Sequence, residues 1–141
     1  MKVEFVATST ELLCTLSAPT EGWIAVGFNR PDGDLKGARL IMTRMEGTRV
    51  VAEVHRADPP RHVRRAPPGG SDRVRVLGGD RTPSVTTVRI AVPWEGEAID
   101  DPTLVPGQPI LVILAWSIAS DFQHHSRLRE HRVVILPSAA P

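Results

Sequence analysis

Prolines and glycines are spread along the whole of this chain, and their spacing is the strongest constraint on its fold. The 141 residues include 13 prolines and 11 glycines. Proline breaks the interior of a helix and glycine weakens it, so regular structure is confined to the short segments between these residues. Those segments are rich in β-branched side chains and alternate in part between apolar and polar positions, which is typical of strands. No window of a dozen residues carries a helical stripe of apolar positions.

The segments between the breaks predict a fold made of strands alone. Nine strands are predicted, near residues 2–7, 11–17, 23–28, 38–45, 49–56, 73–77, 85–92, 110–118 and 131–136. Roughly nine or more short strands separated by turn residues predict an all-β fold, an antiparallel β-sandwich of immunoglobulin-like general architecture without a substantial helix. The length suits a single domain, which we expect to span residues 1–136, with a frayed tail at residues 137–141. The run 110–116 is apolar at every position, which predicts a central strand covered on both faces.

The overall composition excludes several classes of function. The formal net charge is +1, with 17 lysines and arginines against 16 aspartates and glutamates, so no binding of nucleic acid is expected. No apolar run approaches the ~18 residues of a membrane span. The first residues lack the apolar core of a signal peptide. We therefore expect a cytoplasmic protein, and a periplasmic or secreted location stays open if a leader has been removed.

The sequence also lacks the common motifs of catalysis. It contains no Gly-x-Ser-x-Gly turn, no His-Glu-x-x-His pair and no glycine-rich phosphate loop. The single cysteine, Cys14, lies in an apolar segment and is most simply a small core residue. We expect a protein that is not an enzyme.

Two adjacent histidines follow the most apolar strand of the chain. His124 and His125 lie in the polar loop before the last predicted strand, and imidazoles at the end of a β-structure can bind a metal or a haem iron. Neighbouring side chains of an extended chain point to opposite faces, so at most one of the two is expected to face a pocket between the sheets. A solvated pair of loop histidines is the alternative interpretation.

Other side chains offer a second ligand or a counter-charge. His55 ends the fifth predicted strand and Met42 lies in the fourth, and imidazole and thioether groups both ligate haem iron. A half-exposed histidine and a core methionine are the alternatives.

Arg56 and Arg65 belong to a set of arginines around the segment 58–71, which we expect to be a long irregular connection. Guanidinium groups suit carboxylates such as haem propionates, and solvated loop arginines are the alternative.

Two consecutive segments of the chain resemble the DOMON family. Residues 22–28 read Gly-Trp-Ile-Ala-Val-Gly-Phe and residues 35–39 read Leu-Lys-Gly-Ala-Arg; the family has a Gly-Trp-x-x-x-Gly-Phe strand and then a loop that ends in Met-x-Gly-Ala-Asp. The later strands and the loop with two histidines follow in the family's order. The resemblance covers residues 3 to 136.

The resemblance implies a β-sandwich that holds a ligand at one end, either b-type haem or, by proposal, a sugar. In the similar haem-binding members, one axial ligand is a methionine and the other is a histidine near the last strands. The histidine position is matched by His124 or His125, whereas Leu35 occupies the methionine position. A thioether is therefore missing there. The haem is then five-coordinate, or His55 or Met42 provides the second ligand, or no haem is bound.

These observations lead to two hypotheses. The first is a module that binds haem b, for electron transfer to a redox partner protein or for a haem-responsive role. Its iron ligands would come from His125, His124 and His55, and further contacts with the haem would come from Trp23, Leu35, Phe122, Arg56 and Arg65. The second is a haem-free module that binds a carbohydrate or a protein. Carbohydrate sites use aromatic platforms, and an aromatic content of 4% without any tyrosine counts against a sugar. The sequence indicates no oligomeric state.

Overall fold

The structure is a computed structural model, which describes residues 1–64, 73–96 and 101–139. Within these ranges there are ten strands and no helix. The strands are β1 (Lys2–Ala7), β2 (Glu11–Ala18), β3 (Ile24–Asn29), β4 (Arg39–Glu46), β5 (Arg49–Asp58), β6 (Arg61–Arg64), β7 (Arg75–Arg81), β8 (Thr86–Pro93), β9 (Pro109–Trp116) and β10 (Leu128–Ile135). The nine predicted strands are all present, with shifted ends, and β6 is an additional one.

The strands form two antiparallel sheets. One has four strands in the order β1-β2-β8-β7, and the other has six in the order β10-β9-β3-β4-β5-β6. This confirms the predicted all-β sandwich. No helix in the described part of the chain is long and apolar enough to cross a membrane.

The core lies between the two sheets, and β3 shows how the sequence builds it. Ile24, Val26 and Phe28 alternate along β3, and all three are buried in this core. The ring of Phe28 lies 6.2 Å from that of Phe5 on β1, between ring centres. Burying each such side chain contributes about 1.5–3 kcal/mol relative to leaving it in water. These alternating large side chains therefore hold the six-stranded sheet against the four-stranded sheet.

A second apolar cluster covers the opposite, outer face of the six-stranded sheet. Its buried members are Trp23, Ala25, Ala38, Leu40, Met42, Ala57, Leu111, Ile113, Ala115 and Phe122. Strand β9 contributes to both clusters, because Ile110 and Val112 face the sandwich core while Leu111 and Ile113 face outwards. This is the predicted central strand that is covered on both faces.

The predicted irregular connection at residues 58–71 is wrong in its first part. Strand β5 continues to Asp58, and β6 returns antiparallel to it with Asp58 opposite Arg61 and Ala57 opposite His62. Pro59 and Pro60 occupy the turn between the two strands, where proline removes no ladder hydrogen bond. The proline pair therefore marks a hairpin. Residues 65–72, and residues 140–141 of the predicted tail, lie outside the described ranges.

Candidate functional site

A cavity of about 740 Å³ opens on the outer face of the six-stranded sheet. This differs from the expected position between the sheets, because that space is filled by the large side chains of the core. The residues that line the cavity are Trp23, Ala25, Gly27, Leu35, Leu40, Met42, Ala57, Pro59, Pro60, Arg61, His62, Ile113, Ala115, Gln123, His124, His125, Ser126 and Arg129.

Small residues form the floor of the cavity and leave space above the sheet. Ala25 and Gly27 alternate along β3 with the large core residues, and Ala115 lies opposite Ala25 on β9. A Cβ atom added to Gly27 would come within 2.5 Å of a methyl group of Leu40, so the floor is closely packed there. The alternation of large and small residues along β3 is the sequence signal that could have located this cavity on the outer face.

The loop that carries the two adjacent histidines is anchored at its base to the Gly22-Trp23 segment. The indole of Trp23 donates to the carbonyl of His124 at 3.2 Å, and the hydroxyl of Ser117 donates to the carbonyl of His125 at 2.9 Å. The backbone of Trp23 also exchanges hydrogen bonds with Ser117 and Ala119. Gly22 is required because a Cβ atom there would collide with the carbonyl oxygens of the same two residues.

Both His124 and His125 line the cavity. The alternation of an extended chain does not apply to them, because the loop turns at this point: the amide of His124 donates to the carbonyl of Asp121 at 3.0 Å. The carboxylate of Asp121 accepts the amide of Gln123 at 2.9 Å, which stabilises the turn. Both histidine side chains are exposed on the cavity wall.

Phe122 is buried under this loop and does not line the cavity. The guanidinium of Arg44 lies 4.4 Å from the centre of its ring. The ring of His55 meets Phe122 edge-on at 5.8 Å between centres. Phe122 therefore packs the loop onto β4 and β5, whereas Trp23 both anchors the loop and forms part of the cavity wall.

His55 lies behind the cavity wall and does not line the cavity. Its side chain is 2% exposed, and both ring nitrogens have partners. Nε2 lies 3.1 Å from a carboxylate oxygen of Glu53, and Nδ1 lies 2.9 Å from Nδ1 of His62. The structure thus brings the predicted ligand His55 next to the cavity, with His62 between them.

His62 is the cavity histidine that sequence reasoning missed. It lies on the edge strand β6 opposite Ala57, whose side chain also lines the cavity. Burial and, next, the neighbouring His55 lower the pKa of His62 below its ordinary value of 6.5; the backbone carbonyl of Phe122 and the charge of Asp121 act in the opposite direction. Period-two pairing with β5 would have indicated its position, but the prolines before it suggested a loop.

Leu35 and Met42, the two positions considered for a thioether ligand, differ in their placement around the cavity. Leu35, at the family's methionine position, lines the cavity and packs against the outer apolar cluster. Met42 also lines the cavity but is 1% exposed, on β4 in the floor. The position to which the resemblance assigns a methionine is therefore occupied by a hydrocarbon side chain in the cavity wall.

The arginines of the cavity are not the two that were expected. Arg61 and Arg129 line it, from the opposite edge strands β6 and β10. Arg56 instead lines two smaller grooves beside Lys36 and Gly37. The expected haem contact Arg65 lies outside the described residues.

Comparisons with known proteins support the fold. No protein-family model matches the chain, and no curated protein matches it. Among solved structures, the chain is similar to the cytochrome b domain of pyranose dehydrogenase from Coprinopsis cinerea, with a TM-score of 0.65, 14% identity, and coverage of 89% of this chain and 67% of that chain. It is similar to the cytochrome domain of cellobiose dehydrogenase from Myriococcum thermophilum, with a TM-score of 0.66, 12% identity, and coverage of 94% and 71%.

The comparisons also correct one expectation. The prediction of a cytoplasmic location is wrong, because both similar domains come from secreted fungal enzymes. The resemblance noted in the sequence is confirmed in the structure, since both neighbours are DOMON-type cytochrome domains. The chain has the DOMON-type cytochrome fold.

Proposed function

We propose that this protein is a haem b-binding module for electron transfer and that the haem lies in the cavity on the outer face of the six-stranded sheet. One observation carries the proposal: imidazoles and guanidinium groups stand in the wall of a cavity whose floor is apolar. His124 and His125 belong to one wall, and His62 lies on an edge strand. Imidazole is a common axial ligand of haem iron.

The size and lining of the cavity support a haem. Its volume of about 740 Å³ is within the range of about 300–1,000 Å³ that is usual for ligand and cofactor sites. Ala25, Leu40 and Ile113 supply an apolar surface for the macrocycle. Arg61 and Arg129 supply the cations that suit propionates.

The donor set also favours a haem over a bare metal ion. Structural and catalytic zinc sites use three or four protein ligands, and no group of three or more histidine, cysteine or acidic side chains with metal-binding geometry occurs in the described ranges. A haem iron needs one or two protein ligands, because the porphyrin supplies the others. A wall with separate histidines suits that requirement.

The role that we propose is electron transfer and not catalysis by this chain alone. A bound haem supplies one-electron chemistry, and the protein supplies binding, orientation and exclusion of water. The similar solved domains are cytochrome domains of two dehydrogenases, which supports a redox partner protein and an extracellular setting. A carbohydrate module is less well supported, since Trp23 is the single indole, phenyl or phenol side chain among the described residues that line the cavity.

A haemin titration of the apo-protein tests the proposal. We expect a sharp Soret band that saturates at one haemin per chain. Ala25→Leu places a larger side chain over the cavity floor and should weaken haemin binding by about 10-fold or more. Ala7→Leu, on β1 in the other sheet, is the matched control and should bind normally. Only the broad band of free haemin with the wild-type protein would contradict the proposal.

Alanine variants test the histidine loop. We propose that His125 or His124 is an axial ligand, with a preference for His125. Replacing the ligand should abolish or strongly shift the Soret band, and replacing its neighbour should have a small effect. If both single variants keep the wild-type spectrum, neither residue is a ligand.

A further inference from the structure

We propose that this chain offers one ligand to the haem iron and that the second axial position takes a small, neutral ligand from solution, such as carbon monoxide. This inference rests on the proposed function and adds a second binding site to it. The observation behind it is where the fold places the side chains that can ligate a haem iron: two consecutive histidines of one loop are the candidates that remain in the cavity.

The sequence contains few side chains of the required kind. Histidine, methionine, cysteine and tyrosine are the residues that ligate haem iron in proteins. The chain has five histidines, three methionines, one cysteine and no tyrosine. All of them lie within the residues that the structure describes, so each can be placed relative to the cavity.

The sulfur-containing side chains, all in the described part of the chain, provide no ligand. Cys14 and Met45 are buried in the core between the sheets, and Met1 packs against that core. Burial also raises the pKa of the Cys14 thiol, which disfavours a thiolate. Met42 belongs to the cavity floor but is 1% exposed, so neighbouring side chains cover its thioether.

Three of the five histidines are also unsuited to bind the iron. His131 is not among the residues that line the cavity, and its Nδ1 lies 3.6 Å from a carboxylate oxygen of Asp34. His55 is 2% exposed, and both its ring nitrogens have partners. His62 lines the cavity, but its ring hydrogen-bonds the backbone of Phe122 and also Nδ1 of His55. These contacts leave the His62 ring without a nitrogen for an iron.

His124 and His125 remain, and one of them at most can bind the iron. The macrocycle separates the two axial positions, so two protein ligands have to come from segments on both sides of it. These two residues are consecutive in one loop, and Trp23 and Ser117 hold their carbonyls. The loop is therefore fixed on one side, and the second axial position receives no side chain.

The lining of the cavity indicates the chemical class of the ligand at that position. Leu35, Leu40 and Ile113 present hydrocarbon surfaces, against which a charged ligand would lose its hydration without compensation. The cations of Arg61 and Arg129 are assigned to the propionates. The ligand also shares the cavity of about 740 Å³ with the haem, so it has to be small. Carbon monoxide meets both conditions: it donates a lone pair to ferrous iron, and no proton or electron is transferred.

The ferric haem complex provides the first test. Near neutral pH and without added ligand, we expect a high-spin spectrum by absorbance and electron paramagnetic resonance, and a low-spin spectrum after addition of imidazole. His62→Ala and Met42→Leu should give the wild-type spectra. Met45→Leu, in the sandwich core, is the matched control for the loss of a thioether. A low-spin wild-type spectrum without added ligand would overturn the inference, because a side chain would then occupy the second position.

Binding of carbon monoxide to the dithionite-reduced complex provides the second test. We expect one carbon monoxide per haem and an association rate that rises linearly with its concentration, in the wild type and in His62→Ala. A side chain at the second position would have to dissociate first, and the rate would then level off at the rate of that dissociation. A rate that levels off, or no binding at all, would contradict an open position.

The outcomes separate this inference from the proposed function. If the wild type binds haemin at one per chain and the ferric complex is low-spin, the inference fails and the haem proposal stands. If the wild type binds no haemin, both fail. A high-spin ferric complex with linear carbon monoxide kinetics supports both.

Discussion

The indole Nε1 of Trp23 donates a hydrogen bond to the backbone carbonyl of His124, with 3.2 Å between the two atoms. These residues are 101 positions apart in the chain. The bond joins the segment before β3 to the loop after β9, and the same loop is joined to Trp23 through Ser117. The two sequence features that first suggested a function are therefore parts of one structural unit at one end of the cavity.

Replacing Trp23 by phenylalanine should loosen the histidine loop. The substitution removes the indole donor and leaves the His124 carbonyl without it, which should lower the free energy of unfolding by about 1 kcal/mol. We also expect weaker haemin binding. Urea denaturation and haemin titration measure the two effects.

The control for this variant is Trp94→Phe. The indole of Trp94 donates to the carbonyl of Thr8 at 2.9 Å, on the other sheet and away from the cavity. We expect a similar loss of stability with unchanged haemin affinity. If both tryptophan variants bind haemin as the wild type does, the anchoring role of Trp23 is contradicted.

Leu35→Met should restore a thioether at the family's ligand position. Leucine and methionine have similar volumes, so the cost in stability should be below about 1.5 kcal/mol. In the haem complex, we expect a low-spin ferric spectrum and a reduction potential above that of the wild type, since methionine ligation raises the potential of a histidine-ligated haem. Absorbance and potentiometry measure this. Leu16→Met, in the sandwich core, should change neither property, and a spectrum and potential equal to those of the wild type in the Leu35→Met variant would place residue 35 out of reach of the iron.

Two isoleucines on opposite faces of β9 should respond differently to truncation. Ile110 and Ile113 are both 2% exposed, but Ile110 faces the sandwich core and Ile113 the cavity. Ile110→Ala should cost about 2–5 kcal/mol of unfolding free energy without affecting haemin binding. Ile113→Ala should cost less, because the cavity already deprives its side chain of some contacts, and should change haemin affinity. Denaturation curves and titrations of both variants check the order, and the reverse order would contradict the assignment of the two faces.

The ion pair between Glu11 and Arg75 should make stability depend on pH in acid. Arg75 on β7 reaches Glu11 on β2 with two contacts of 2.9 and 2.7 Å, and the hydrogen bond from Arg75 holds the pKa of Glu11 below its ordinary value of 4.5. Because the pKa is lower in the folded state, the contribution is present above 4.5 and is lost as the pH falls through the lowered value. Arg75→Gln should flatten the loss of stability in this window, as measured by chemical denaturation at several pH values. The same substitution in a Glu11→Gln background should have no further effect on the pH dependence, and an undiminished dependence in Arg75→Gln alone would contradict the pairing.

Local patterns in the sequence were sufficient for most of the strands. β-branched residues and turn residues placed nine of the ten, and the apolar run 110–116 indicated a strand with two covered faces. The exception was β6, where Pro59 and Pro60 suggested a loop. Proline excludes a central ladder position but fits a hairpin turn, so composition by itself did not distinguish these two structures.

The sequence by itself determined the strand content, the β-sandwich and the presence of histidines in the loop before the last strand, because these depend on residues that are close in the chain. Only the tertiary structure decided where the cavity lies and which histidines reach it. Ala25 and Ala115 form one floor through the pairing of β3 with β9, and the pairing of β6 with β5 places His62 in the wall with the buried His55 behind it. A side chain's face depends on sheet order and register, which local alternation leaves open, and for this reason the sequence did not show that His62 lines the cavity and His55 does not.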